Sequence, residues 1–343
     1  MKNKLLCTFS AVILILCFAG CSKKEGSSAG TASAAPEKVY EIECGYENAP
    51  GELVDLACIF WKQKLEELSG GKMTLRLYPS SGLGTKNELI DMALAGNPVT
   101  TLANNSFYSD LGLRDLSVTF VPYLFDNWEA YTTLNKSDWF AEQVKLLQEK
   151  GIHLISNDWR YGVRHLLSKK PVQSLADVKG MKVRTPNSTA EVNIWVAMDA
   201  NPTPMTLGEV YIALQQGAID AVENPLDVLY GQKFYEVVKN LTLTGHTYSN
   251  LSWTFSEKAF QEMTPQQQKW LLESGDAASN YFNGLAAEAV EKFMRELKSQ
   301  GVTVYEIDRN EFSAASRNFA NIPEYKNVWS PGLYDRVTKI LGK

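Results

Sequence analysis

The stretch Gly180–Pro225, "GMKVRTPNSTAEVNIWVAMDANPTPMTLGEVYIALQQGAIDAVENP", decides the class of fold. "MKVR" reads as a short strand, and Ser188-x-x-Glu191 as a capping box opening a helix that runs to Ala200. Thr206-x-x-Glu209 is a second capping box, opening "LGEVYIALQQG", and "AIDAV" reads as a buried strand. Strands alternating with helices over so short a span indicate a mainly parallel sheet with helices on its faces. Arg184 then stands at the carboxyl end of a strand, with Asn187 and Ser188 at the start of the next helix. Ligands of open α/β sheets sit outside those strand ends. A helix N-terminus adds unpaired N–H groups that suit an anion, and a guanidinium adds a fork that matches a carboxylate. Spacing alone supports an internal ion pair or a solvated charge equally well, for Arg184 and for Arg164.

The same alternation runs outward in both directions. "VYEIECGYE" is a strand, and "NAPGELVDLACIFWKQKLEELSGG" is an amphipathic helix ended by Gly70 and Gly71. "KMTLRLYP" and "PVTTLAN" are strands flanking a helix that starts at a Thr85-x-x-Glu88 box. "GIHLISNDWRYGVRHLLSKKPV" reads as extended with a bend at Asn157, and "SLADVKG" as a short capped turn. A strand period puts Asp158, Arg160, Gly162 and Arg164 on one face and Trp159, Tyr161 and Val163 on the other. Beyond residue 250, "TPQQQKWLLESGDAASNYFNGLAAEAVEKFMRELKSQG" is one helical pattern, roughly 50 Å long at 1.5 Å per residue. A helix of that length ties two lobes together. There is no internal repeat.

Composition removes whole classes of function. The chain has 343 residues, a formal net charge of −5 and no basic run, which excludes a nucleic-acid footprint. Its three histidines, His153, His165 and His246, form no paired-ligand spacing. No P-loop, dinucleotide fingerprint, H-E-x-x-H or C-x-x-C is present, and no nucleophile has an evident base. Hydrolase and dehydrogenase chemistry, a metal and a cofactor are therefore not expected.

The N-terminus reads as an address rather than as fold. Lys2 and Lys4 precede an apolar run from Leu5 to Phe18, too short to span a bilayer, and "AGC" ends at Cys21. That layout resembles a bacterial lipobox, with residues 1–20 removed and Cys21 lipidated. Residues 21–38 form a polar, aperiodic tether. Its "GSSAG" matches the nucleophile-elbow pattern only formally, because no strand precedes it and no helix follows. Signal and tether carry five lysines and two glutamates, which leaves the folded part at −8. Two cysteines, Cys44 and Cys58, fall in that part; export permits a disulfide between them, and their apolar-periodic segments favour thiols packed as small hydrophobes.

"SLADVKGMKVRTPNS", "NPTPMTLGEVYIALQQGAIDAVENPL" and "KFYEVVKNLTLTGH" follow in order, and together they closely resemble the DctP-type substrate-binding proteins of TRAP (tripartite ATP-independent periplasmic) transporters. The resemblance implies a two-lobed periplasmic-binding-protein-like α/β fold with a hinge. It assigns 39–161 plus 250–289 to the first lobe and 162–249 plus 290–343 to the second. It implies a monomeric, non-enzymatic protein outside the cytoplasm, membrane-associated through Cys21, that hands an organic acid to a membrane permease.

Residue by residue, the resemblance makes Arg184 the partner of the ligand carboxylate and Arg164 a second arginine. Asn187 and Asn224 flank the carboxylate, Glu223 and His246 line or support the pocket, and Asn48 reaches in from the first lobe. Glu88, at the capping box, is carried as a further first-lobe candidate. The chain departs from the sialate-binding pattern at Asn104, where an acidic residue is usual, and at Trp159 and Arg160. Trp159 packs either on a sugar face or in the core, with the core favoured for an aromatic in such a strand. Tyr211 is the one residue of "GEVYIALQQG" expected to turn toward the cleft. The departures suit a uronate, aldonate or keto-sugar acid. The alternatives are a C4-dicarboxylate, keto-acid or sialic acid binder, with Arg160 holding a second carboxylate of a diacid, or an exported enzyme or sensor subunit.

Overall fold

The computed structural model of the chain describes residues 39–316, 319, 322 and 328–343. The export signal, the tether and Cys21 lie outside the described residues. The chain begins with β1 (Tyr40–Gly45), α1 (Leu53–Ser69), β2 (Met73–Tyr78), α2 (Lys86–Leu94) and β3 (Val99–Ala103). α3 (Asn105–Asp110), α4 (Trp128–Asn135) and α5 (Asp138–Glu149) follow, and then the long strand β4 (Ile152–Val163). A second set comprises β5 (His165–Ser168), β6 (Lys182–Thr185), α6 (Thr189–Val196), β7 (Asn201–Pro204), α7 (Val210–Gln216), β8 (Ala221–Asn224), α8 (Leu226–Gly231) and β9 (Asn240–Thr242). The chain then returns through β10 (Tyr248–Ser256), α9 (Glu257–Gln261) and α10 (Pro265–Ser299). It ends with β11 (Thr303–Tyr305), α11 (Arg309–Ser316) and α12 (Leu333–Ile340).

These strands build two sheets, one per lobe. The first has the order β2-β1-β3-β10-β4 and the second β11-β9-β5-β8-β6-β7. Both are mixed rather than mainly parallel. β10 runs antiparallel to β3 and to β4, and β5 runs antiparallel to β8 and to β9. The departure arises because β4 and β10 do not return through helices; each continues across the junction between the sheets, at residues 163–165 and 243–247. β7 was not legible as a strand, since "NPTP" carries two prolines. It forms because it is an edge, paired only with β6, where missing N–H groups cost nothing.

Aromatic packing holds the first sheet to its helices. Trp253 on β10 meets Trp61 of α1 edge-on at 5.0 Å, and Trp159 on β4 stacks on Phe282 of α10 at 4.9 Å. The buried Trp61 indole finds an acceptor in Ser274 Oγ on α10, at 2.9 Å. α10 is a single 35-residue helix, opened by a Thr264–Gln267 capping box with Pro265 in its first turn. It approaches β4 so closely that a Cβ on Gly275 would lie 2.7 Å from Ile155 Cγ2. Gly162 serves the crossing in the same way, at φ +141° with Pro225 against it. At the other end of the chain, Arg336 forks onto Glu142 of α5 at 2.8 Å and Lys343 reaches the Leu124 carbonyl. Residues placed by order in the second lobe are thus fastened to a segment placed by order in the first. Cys44 and Cys58 are buried free thiols.

Candidate functional site

A cleft between the two sheets is lined by three buried charged residues, Arg164, Arg184 and Glu191. Its cavity volume is about 30 Å³, so the lobes stand nearly shut. From the first-sheet side come Glu47 and Asn48 after β1, Lys86 at the start of α2, Asn104 and Phe107 around the start of α3, and Tyr161 on β4. From the second come Arg164, Arg184, Glu191 and Asn224. Asn224 ends β8 and Arg184 lies next to the end of β6, so both stand at carboxyl ends of strands.

The two arginines stand in opposite electrostatic situations. Arg164 is paired with Glu223, with Nε at 2.5 Å and Nη2 at 2.7 Å from the carboxylate and Nη2 at 3.1 Å from the Glu223 carbonyl. Burial works against the Glu223 charge, but Arg164 and then His246 outweigh it and hold the carboxyl down at about 2. Burial lowers the His246 pKa, so the ring is neutral; it donates through Nε2 to Glu223 and takes the Thr244 hydroxyl at Nδ1. Arg184 is 2% exposed, and its Nε and Nη2 both point at one neutral acceptor, the Met205 carbonyl, at 3.1 and 2.7 Å. Among the described residues no carboxylate pairs with it. Burial lowers its pKa, with Glu47 and Glu223 opposing from a distance. A buried guanidinium without a counter-ion is costly, and an anion in the cleft would relieve it.

The first-sheet wall contributes residues that the sequence reading did not single out. Lys86 pairs with Glu47, and its ammonium stands 5.5 Å over the Phe107 ring. Burial favours the neutral form of Glu47, yet Lys86, assisted by Arg184, carries its pKa below the ordinary range. A lysine in the first turn of α2 opposes the helix dipole, and that anomaly is the sequence signal that could have found it. Glu191 was read only as the acidic half of a capping box. Ser188 does accept from the Glu191 N–H, but the Glu191 carboxylate turns away to Ser106 Oγ on the facing wall, at 3.0 Å.

Seven sequence candidates stand elsewhere than in the cleft lining. Glu223 and His246 lie behind Arg164 and act through it. Asn187 lines a smaller adjoining cavity that shares Glu47, Lys86 and Arg184. Glu88 is taken up by its own cap, accepting from the Thr85 N–H and hydroxyl, and does not reach the cleft. Trp159 is fully buried against Phe282 and Trp253, a core residue. Tyr211 points outward to Glu236 at 2.8 Å. Arg160 falls on the opposite side of Tyr161 from the cleft, beside Asp158, in a separate cavity at the junction of the sheets. The alternation that put Arg160 on the Arg164 face fails because β4 pairs irregularly with β10 around residues 157–162. Among the described residues no group of side chains is suited to hold a metal, and no helix is long and apolar enough to cross a membrane.

Comparison with known proteins gives one consistent result. Residues 44–328 match the family described as bacterial extracellular solute-binding protein, family 7. The 2,3-diketo-L-gulonate-binding periplasmic protein of Escherichia coli K12 is 33% identical over 281 residues, 81% of this chain and 84% of that one. A TRAP periplasmic solute-binding protein of Actinobacillus succinogenes, solved with bound L-galactonate, superposes with a TM-score of 0.84 at 38% identity. One from Ochrobactrum anthropi with bound L-fuconate gives the same TM-score and identity. Each of the two covers 88% of this chain, which in turn covers 99% of theirs.

Proposed function

Because the chain belongs to the bacterial extracellular solute-binding proteins of family 7, we propose that it captures a sugar-acid monocarboxylate for a TRAP membrane permease, with Arg184 as the anchor of the carboxylate. The observation that carries the assignment is a buried arginine at a strand end, facing the cleft with no counter-ion of its own. Arg164, already neutralised by Glu223, shapes the same wall, and Asn48, Asn104 and Asn224 offer donors and acceptors to hydroxyls. The L-galactonate and L-fuconate found in two structural neighbours are acids of this kind. Placement of Arg160 outside the cleft speaks against its holding a second carboxylate.

The protein then works outside the cytoplasm as a monomer, tethered through a lipid on Cys21. Its lobes divide where the chain crosses at 163–165 and 243–247. Closure follows ligand because only the shut form brings both walls onto the acid, and differential affinity is what shifts such an equilibrium. A thermal-shift screen of aldonates, uronates and keto-sugar acids tests the reading. A ligand at a hundred times its Kd adds about 2.7 kcal/mol of stability, which is readily seen as a rise in Tm. Arg184→Ala should abolish the rise while the unliganded protein still melts cooperatively. An unchanged response in that variant would remove Arg184 as the anchor.

A further inference from the structure

We infer that Glu191 is the selectivity residue of the cleft: its unpartnered oxygen accepts a ligand hydroxyl, and the charge around it admits one carboxylate and no second. This rests on the solute-capture reading above and narrows its substrate class to polyhydroxylated monocarboxylates.

The protons around Ser106 carry the first half. Glu191 is 2% exposed, lines the cleft, and has one oxygen, Oε1, buried without any hydrogen-bond partner. Its other oxygen, Oε2, lies 3.0 Å from Ser106 Oγ. Ser106 Oγ lies closer still, 2.5 Å, to Asn104 Oδ1, which is fixed as an acceptor because it also takes the Ser106 N–H. A hydroxyl has one proton to give. With that proton directed to Asn104, the contact to Glu191 is a hydrogen bond only if Glu191 is protonated and donates. The surroundings agree in direction. Burial, with Glu223 assisting, raises the Glu191 pKa against the pull of Arg164 and Lys86. Arg164 Nη2 stands 4.0 Å from Oε1, beyond hydrogen-bonding reach, and is already bonded to Glu223 together with Nε. A neutral Glu191 donating through Oε2 leaves Oε1 as a carbonyl-type acceptor, buried at the cleft and suited to an O–H donor.

Charge carries the second half. With Glu191 neutral, the walls hold Arg164, Arg184 and Lys86 against ionised Glu47 and Glu223. Glu52 and Asp227 stand behind Tyr161, outside the cleft lining, and burial raises the pKa of each. Among the side chains that line the cleft or pair with them, one positive charge is left over, on Arg184. One carboxylate balances it. A second would be buried beside Glu191 and Glu47 with no cation free to meet it.

Titration calorimetry near pH 7 separates the outcomes. The probes are hexonates (L-galactonate, D-galactonate, D-gluconate and the deoxy sugar acid L-fuconate), galactarate, which is galactonate with its terminal hydroxymethyl oxidised to carboxylate, and hexanoate, which has no hydroxyls. At least one hexonate should bind at least a hundredfold more tightly than galactarate and hexanoate. Glu191→Ala should lower the hexonate-to-hexanoate ratio by about ten- to a hundredfold, the cost of an unmade buried hydrogen bond. Glu191→Gln, which reproduces the protonated carboxyl with an N–H toward Ser106 and a carbonyl toward the ligand, should keep that ratio within about threefold. Galactarate binding as well as the hexonates, a Glu191→Ala ratio like wild type, or a Glu191→Gln ratio as low as that of Glu191→Ala would each overturn the inference. In any of these cases, loss of hexonate binding in Arg184→Ala would show that solute capture itself stands. Should Glu191→Ala fail to fold, the galactarate comparison on the wild-type protein and the Gln variant still decide.

Discussion

At the scale of single residues, the most unusual group outside the cleft is Asp227. It follows Leu226 at the start of α8, is 8% exposed, and has one carboxylate oxygen buried without a partner. Burial, reinforced by the nearby Glu52, pushes its pKa up to about 7. The sign follows from proton uptake: between about pH 4 and 7 the folded protein binds a proton that the unfolded chain releases, so this site makes stability fall as pH rises through that window. Asp227→Asn removes the dependence. Its melting temperature should match wild type near pH 4 and exceed it at pH 8, by at most ~4 kcal/mol in stability for a shift of roughly three pH units. Equal melting temperatures at pH 8 would show that the carboxyl is not held neutral.

At the scale of elements, Gly275 shows why a helix this long lies flat on its sheet. Alanine normally gains about 1 kcal/mol over glycine in a helix interior. Here the added methyl would meet the β-branched Ile155 at 2.7 Å, and overpacking of that kind costs about 1–3 kcal/mol. Gly275→Ala should therefore lower stability, by up to about 2 kcal/mol in denaturant titration, and a stabilised variant would contradict the close approach. α10 was legible in the sequence because its helical pattern runs unbroken, and so were the strands around Arg184. What escaped was set by tertiary context. Glu191 matches a capping-box spacing perfectly, yet Ser106 lies 85 residues away in sequence and takes its carboxylate. Arg160 alternates onto the Arg164 face by spacing, and the irregular pairing of β4 with β10 puts it on another side. Lys86 was hidden among the polar residues that open α2.

At the scale of the whole molecule, apolar clusters run from one sheet to the other, and polar contacts close the cleft between them. Gln232 on the second-sheet side reaches Glu52, Ser106 faces Glu191, and Asp110 accepts from the Thr189 N–H at 3.0 Å. The cavity as it stands, about 30 Å³, is smaller than a six-carbon acid, so the lobes must part to admit one. Small-angle X-ray scattering should therefore give a larger radius of gyration for the ligand-free protein than for the protein saturated with its acid. An identical radius in the two states would mean that the lobes do not open.

The Met205 carbonyl has a bearing on kinetics as well. An arginine side chain carries about 2 kcal/mol of rotamer entropy, and two hydrogen bonds to one backbone oxygen fix Arg184 while the chain folds. An arriving acid then finds its anchor already aimed, and no search over side-chain conformers slows the encounter. The rate at which captured acid is locked in should accordingly saturate at one value for every acid the cleft accepts, set by how fast the lobes swing together.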